Sequence, residues 1–221
     1  MDSGASDRCS GAASRWRRMC GVALAAMVTT ACGSPYYTSA PIEAWVVDAE
    51  TGAPIEGAVV TANWQLVASG LDTGGRKLHQ LEVMEALTDK AGRFYFPGFT
   101  RINFTLEQLK DEDPQILIFK SGYRYSRVKS DTDPKGIHRS SPAIGRRIPL
   151  EKATAMPKEI ARDLAFLATN LEHIVDAGQT RQIPSMTRYL LCERRRLKNF
   201  DPSITLAVPG ETAKEVACET R

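Results

Sequence analysis

The chain has 221 residues, a mass of 24.3 kDa and a formal net charge of +3, with 43% hydrophobic residues, 25% charged residues and a mean hydropathy of −0.27. That length allows one domain with an appendage, or two small domains, with enough core to fold without staples. The composition excludes a disordered chain and a polytopic membrane protein, and the charge is too small and too evenly mixed to form a nucleic-acid surface.

Arg15, Arg17 and Arg18 precede an uncharged stretch from Met19 to Ala31. A basic region, a short apolar region and small residues at its end have the form of a secretory signal. The apolar stretch falls well short of a bilayer span, so any anchor must come from elsewhere. Val28-Thr29-Thr30-Ala31-Cys32 resembles a bacterial lipobox, departing from it at Thr29, where Leu is usual. The resemblance implies cleavage after Ala31 and acylation of Cys32 by chains such as palmitate. Two or three acyl chains hold a protein on a membrane where one does not. Gly33 follows the cysteine, and by the same analogy an Asp there would favour inner-membrane retention. The expected location is therefore the outer membrane, facing the periplasm, and the alternative is a plain secretory signal releasing a soluble protein.

Of five cysteines, Cys9 and Cys20 leave with the signal and Cys32 is acylated. Cys192 and Cys218 remain in a compartment that oxidises thiols, so a disulfide between them is expected, against two free thiols. The removed segment carries four Arg and two Asp, which leaves the mature chain nearly neutral.

Residues 33–40 read as a tether. From Ile42 to Leu150 the pattern is strand and turn. Strands are expected over Glu43–Asp48, Val59–Trp64, Ala86–Thr88, Arg93–Pro97, Ile116–Lys120, Tyr125–Lys129 and Arg146–Leu150, with Thr51-Gly52-Ala53-Pro54, Asp89-Lys90-Ala91-Gly92 and Ser121-Gly122 as turns. Short strands with turn signals at this spacing describe a sandwich. Two insertions, Val67–Val83 and Gly98–Pro114, stand out as places for function. The second contains Thr105–Lys110, which reads as a helical turn capped by Thr105.

Three motifs follow one another at sensible distances: Asp48-x-x-Thr51-Gly52-x-Pro54-Ile55-x-Gly57-Ala58-x-Val60, Thr88-Asp89-x-x-Gly92-x-Phe94-x-Phe96, and Lys120-x-Gly122-Tyr123. Together they resemble the carboxypeptidase regulatory-like domain, over roughly half of the chain. The resemblance implies a seven-stranded transthyretin-like (prealbumin-like) β-sandwich. Ala44 stands where that family often has Gly. Gly57 and Gly92 fall where tight turns need a positive φ or no Cβ.

After Leu150 the period changes. Pro157 opens a helix whose Ile160, Leu164, Leu167, Leu171 and Ile174 form one apolar stripe, closed at Gly178. Pro184 opens a second, with Met186, Leu190 and Leu197 inward, Glu193 to Arg196 outward, and a stop at Asp201-Pro202. The short connection makes an antiparallel pair, expected to pack on the sandwich or on a partner. The division is then residues 1–31 signal, 32–40 anchored linker, 41–152 sandwich and 153–221 helical region. The fold class is mainly β with an α appendage.

His79-x-x-Glu82 has the spacing of two zinc ligands in metallocarboxypeptidases, but the resemblance is to the regulatory domain, and the catalytic domain is missing. A zinc site needs a third ligand, and His138 and His173 lie in no motif. No Gly-x-Ser-x-Gly, phosphate-binding loop or Cys-x-x-Cys occurs. The expectation is a non-enzymatic envelope protein that binds or scaffolds, without metal or cofactor. Its partner would be an envelope protein or a glycan, and not nucleic acid. A carbohydrate- or peptidoglycan-binding protein, stacking Trp45, Trp64 or Tyr123 on sugar rings, is the alternative. A metal-dependent hydrolase using His79 and Glu82 is the third reading.

Overall fold

The structure is a computed structural model that describes residues 36–67, 78–102, 108–109, 114–128, 138–139, 141–154, 156–176, 182–209 and 218. The strands are β1 (Tyr36–Ser39), β2 (Ile42–Asp48), β3 (Val59–Val67), β4 (Leu78–Leu87), β5 (Arg93–Phe96), β6 (Phe99–Ile102), β7 (Gln108–Leu109), β8 (Gln115–Phe119), β9 (Ser126–Val128), β10 (His138–Arg139) and β11 (Arg147–Leu150). Two helices follow, α1 (Pro157–Asp176) and α2 (Pro184–Phe200). The chain is mainly β, a sandwich with a helical appendage at its C-terminal end.

Three layers build the molecule. Of the three sheets among the described residues, the two that face each other have the orders β11-β2-β5 and β4-β3-β8-β9, with β7 pairing on β3, and the third is β10-β1-β6. Ile42, Ala44 and Val46 of β2 and Phe94 and Phe96 of β5 face Val60, Ala62, Trp64 and Leu66 of β3 and Ile116 and Ile118 of β8. The alternate residues of the second sheet look the other way. Val59, Val83, Leu117 and Phe119 pack against Leu164, Leu167 and Leu171 of α1 and Met186, Leu190 and Leu197 of α2. Every residue of β8 is therefore buried, which is why Ile116–Phe119 reads as an unbroken apolar run rather than an alternating one. The helices do pack on the sandwich. Ile204, Leu206 and Val208 join the same core after α2 ends.

Strands β1 and β6 were not expected. They continue β2 and β5 in one antiparallel ribbon, whose register is the same on both sides of a corner at Pro41 and Pro97-Gly98: Ser39 pairs with Phe99 and Ile42 with Phe96. A Cβ on Gly98 would lie 2.9 Å from the Ser39 carbonyl oxygen and 3.0 Å from the Pro41 ring, so the corner closes only around glycine. Pro41 and Pro97 donate no ladder hydrogen bond, so the bend sits where the pairing has least to lose. The ribbon beyond the corner folds over the sandwich. There Phe99 meets Trp64 edge-on at 4.9 Å, and Arg101 lies 5.4 Å over the Phe99 ring and 2.6 Å from Glu82.

Several expectations are corrected. Residues 36–39 of the expected linker are a strand paired on both sides, with β6 and β10. Both ends of the first insertion are paired strand, since β3 runs to Val67 and β4 starts at Leu78, and residues 68–77 between them lie outside the described residues. The second holds β6 and β7. Residues 108–109, expected in a helical turn, pair with Leu66 and Val67 of β3, and Thr105 lies outside the described residues. Backbone pairing to an open strand edge outweighs a single turn of helix, which is marginal alone.

Candidate functional site

The three motifs converge on one end of the sandwich. Asp48, at the end of β2, accepts hydrogen bonds through Oδ1 from the backbone N–H of Thr51 at 2.9 Å and of Glu50 at 3.0 Å, and from the Thr51 hydroxyl at 3.1 Å. Its Oδ2 accepts from the Tyr123 hydroxyl at 3.0 Å, and Lys152 Nζ stands 3.6 Å away. The Thr51 N–H, ahead of the other donors, holds the Asp48 carboxyl down at about 2 against an ordinary 3.8. Burial, followed by the bond to Asp48, pushes the Tyr123 hydroxyl up. Thr88 donates to the Ile55 carbonyl at 2.6 Å and accepts from Ala58 N–H at 2.8 Å. Asp89 accepts from the N–H groups of Ala91 and Arg93, both at 2.9 Å, and Lys120 donates to the Glu56 carbonyl at 2.7 Å. These polar motif residues are spent on closing a turn or on tying one turn to another. A carboxylate saturated by four donors is a fixed anion suited to holding backbone.

A second polar set joins the helices to the sandwich. The backbone N–H groups of Ser185 and Met186, in the first turn of α2, donate to the two carboxylate oxygens of Glu85 on β4 at 2.9 and 2.8 Å. Ile183 precedes that helix and offers no side-chain cap. Glu193 is the main correction on α2. It was expected outward and is buried, 4% exposed, accepting from the Ser121 hydroxyl at 2.7 Å and from Arg196 Nε at 2.9 Å. Arg124 reaches Asp163 on α1 at 3.1 Å, and Gln115 on β8 meets Asn170 on α1 at 3.2 Å. Beyond Val59, the helix-facing side of β3 carries buried Thr61, Asn63 and Gln65.

The expected site residues fall as follows. Ala31 and Cys32 lie outside the described residues. Cys192 on α2 and Cys218 form a disulfide, closing the chain's C-terminal segment onto the second helix. On β4 the register sets His79 opposite Leu66 and Glu82 opposite Trp64, across a bulge between Trp64 and Gln65. The Glu82 carboxylate is engaged by Arg101. The His79 and His138 side chains lie outside the described residues, as does that of His173. Among the described residues no three His, Cys, Asp or Glu side chains gather as a metal group.

Of the three aromatics considered for sugar stacking, Trp64 is 1% exposed, so its ring is core, and Tyr123 is held by Asp48. Trp45 lies on the outward side of β2. Its neighbours across the ladder are Arg93 and Arg147, with Tyr95 opposite Glu43 one step along. Tyr95 is half-exposed. Sequence reasoning missed Glu85, Ser121 and Tyr95. Only Tyr95 carried a signal, its alternation with Phe94 and Phe96.

No protein-family model matches the chain, and no curated protein matches it. Three solved structures are similar to parts of it. A streptococcal ancillary pilin shares 14% identity over 52% of this chain and 30% of the pilin chain, with a TM-score of 0.27. A 3-chlorocatechol 1,2-dioxygenase from Rhodococcus opacus 1CP shares 18% over 53% of this chain and 61% of its own, with a TM-score of 0.30. A 9R-lipoxygenase from Cyanothece PCC8801 shares 10% over 84% and 28%, with a TM-score of 0.27. The match spans less than two thirds of each of those chains, and likeness at this level carries no argument about function.

Proposed function

We propose that this chain is a non-enzymatic, lipid-anchored protein of the bacterial cell envelope, whose sandwich is of the carboxypeptidase regulatory-like kind and serves binding or scaffolding. The observation that carries the reading is the run Val28-Thr29-Thr30-Ala31-Cys32 behind a basic and then an apolar segment. The family assignment is supported by the three motifs, whose residues interlock at one end of the sandwich as turn-closing groups. The location is the outer membrane, facing the periplasm, and the partner is an envelope protein. The use of the motif residues as structural ties favours a rigid platform over a catalyst.

The glycan-binding reading keeps one observation in its favour, the outward placement of Trp45 and Tyr95 among Arg93 and Arg147 on the β11-β2-β5 face. Aromatic faces beside polar groups stack on sugar rings. The deciding experiment is affinity capture of the lipidated protein from cross-linked envelopes beside a Cys32→Ala version, with mass spectrometry of partners and of the N-terminus. Diacylglyceryl-modified Cys32 together with one abundant partner supports the scaffold. An unmodified N-terminus removes the anchor. A modified one, with capture of glycan strands that is lost in Trp45→Ala, transfers the function to sugar recognition.

A further inference from the structure

The outward face of the β1–β6 ladder differs from the other exposed sheet face. Tyr36 pairs directly with Ile102, and Thr38 with Thr100. Tyr36 is 51% exposed and Ile102 is 49% exposed, and the two threonine hydroxyls bond to each other at 3.2 Å on the surface. None of these four residues carries a charge. Arg101, the charged residue of β6, belongs to the opposite side of the ladder, where it sits over Phe99 and pairs with Glu82. On the outward face of β2 and β5, by contrast, Glu43, Arg93 and Tyr95 accompany Trp45.

Covalent geometry limits how far this face can lie from the anchor. Cys32 is four residues before Tyr36. Four residues span at most about 14 Å when fully extended. The polar headgroup layer on each side of a bilayer is about 5–8 Å thick. With Cys32 acylated, a tether of that length leaves Tyr36 within reach of the headgroups. Tyr is favoured at that depth because its ring is apolar and its hydroxyl is wet. Ile102 beside it buries apolar surface on contact, and the Tyr36–Ile102 end, away from His138 of β10 beside Thr38, brings no charged pair to desolvate.

We infer that the Tyr36–Ile102 face of the β1–β6 ladder rests on the lipid headgroup layer, holding the sandwich in one orientation with the Asp89–Gly92 turn of the same ribbon directed away from the membrane. The inference rests on the proposed acylation of Cys32. It gives the anchor a second, weaker contact, which sets direction rather than affinity. The motif end of the sandwich and the helical layer are then left to partners.

The test uses the full-length protein purified from membranes and reconstituted in phospholipid vesicles, with an environment-sensitive fluorophore at Ile102→Cys, or at Tyr36→Cys should the first variant melt early. Ala91→Cys, in the exposed turn at the far end of the ribbon, is the control. Emission from position 102 is expected to shift to the blue and to be lost when the vesicles contain brominated phospholipid, with no loss from position 91. Equal quenching at both positions, or none at either while mass spectrometry shows acylated Cys32, overturns the orientation and leaves the anchor standing. An unmodified Cys32 overturns the anchor itself.

Discussion

The Glu85 carboxylate on β4 caps the first turn of α2 from a hundred residues away, accepting from the N–H groups of Ser185 and Met186 at 2.9 and 2.8 Å. The first N–H groups of a helix have no partner inside it, and a carboxylate there also meets the positive end of the helix dipole. Ile183, in the N-cap position, cannot do this, because its hydrocarbon side chain has no acceptor. One group therefore both starts the helix and joins it to the sheet. Glu85→Ala is expected to lower stability by about 1–2 kcal/mol in urea unfolding, by the usual magnitude of a lost cap. Glu85→Gln, which keeps an acceptor, should lose less. An unchanged midpoint in Glu85→Ala would show that the cap contributes nothing.

The Asp48–Tyr123 contact makes a pH prediction. The Asp48 carboxyl titrates at about 2 in the fold and near its ordinary 3.8 when unfolded. The unfolded chain binds this proton more readily, so stability rises with pH across that interval. The contribution is complete above pH 3.8 and is lost as pH falls towards 2. Thermal melts of the wild type should fall steeply over that interval. Asp48→Asn should be less stable at neutral pH and show a shallower slope. Tyr123→Phe, which removes the hydroxyl bonded to Oδ2, should shift the acid limb to higher pH. Parallel slopes in all three proteins would contradict this account of the turn.

The strands of the sandwich were legible because their signals are local. Phe94 and Phe96 alternate with exposed neighbours, and Thr51-Gly52 and Asp89-x-x-Gly92 set turns through their own hydrogen bonds. The helical stripes were equally plain, and Leu164, Leu167 and Leu171 are all buried. What stayed hidden depends on distant partners. Strands β1, β7 and β10 have four residues or fewer, and exist because an edge was available to pair with. Glu193 reads as part of a charged run with Arg194, Arg195 and Arg196. Its spacing from Leu190 and Leu197 puts it on the inward stripe, and the Ser121 hydroxyl that makes this tolerable is 72 residues away. A buried carboxylate short of donors would be costly, and sequence alone shows Arg196 but not the distant Ser121.

That same pair gives a third expectation. Ser121→Ala removes one of the hydrogen bonds to Glu193 and leaves a buried oxygen short of a donor. The cost should be about 1.5–3 kcal/mol, the range for a hydrogen bond to a charged group. Urea unfolding measures it. A double-mutant cycle with Glu193→Gln should show coupling between the two positions, because they share one contact. Additive losses would mean that the bond does not dock the helix.

The Cys192–Cys218 disulfide closes a loop between positions separated by 26 in sequence. In the loop-entropy model such a link contributes about 3 kcal/mol by restricting the unfolded chain. Cys218→Ser and reduction of the wild type should therefore lower the unfolding midpoint by similar amounts, and reduction should not affect the variant further. Different losses from the two treatments would place the effect in packing around Cys192 instead.

Gly52 and Gly92 share a left-handed backbone, with φ of +69° and +73°, and differ in their surroundings. A Cβ on Gly52 would have nothing within 4 Å, so Gly52→Ala carries backbone strain alone, about 1 kcal/mol. A Cβ on Gly92 would collide with the Val46 carbonyl oxygen and come within 3.1 Å of Ile55 N and 3.2 Å of Pro54 Cβ. The Val46 and Ile55 atoms belong to paired backbone. Val46 N–H donates to the Gly92 carbonyl at 2.7 Å, and Ile55 N–H donates to the Val46 carbonyl at 3.0 Å. The neighbours cannot retreat without opening the sheet, so Gly92→Ala should cost well beyond the roughly 1–3 kcal/mol of strain alone. Unfolding of the two variants side by side separates strain from crowding. Equal losses would mean that the turn relaxes away from Val46, and that the second motif is less rigid than its hydrogen bonds imply.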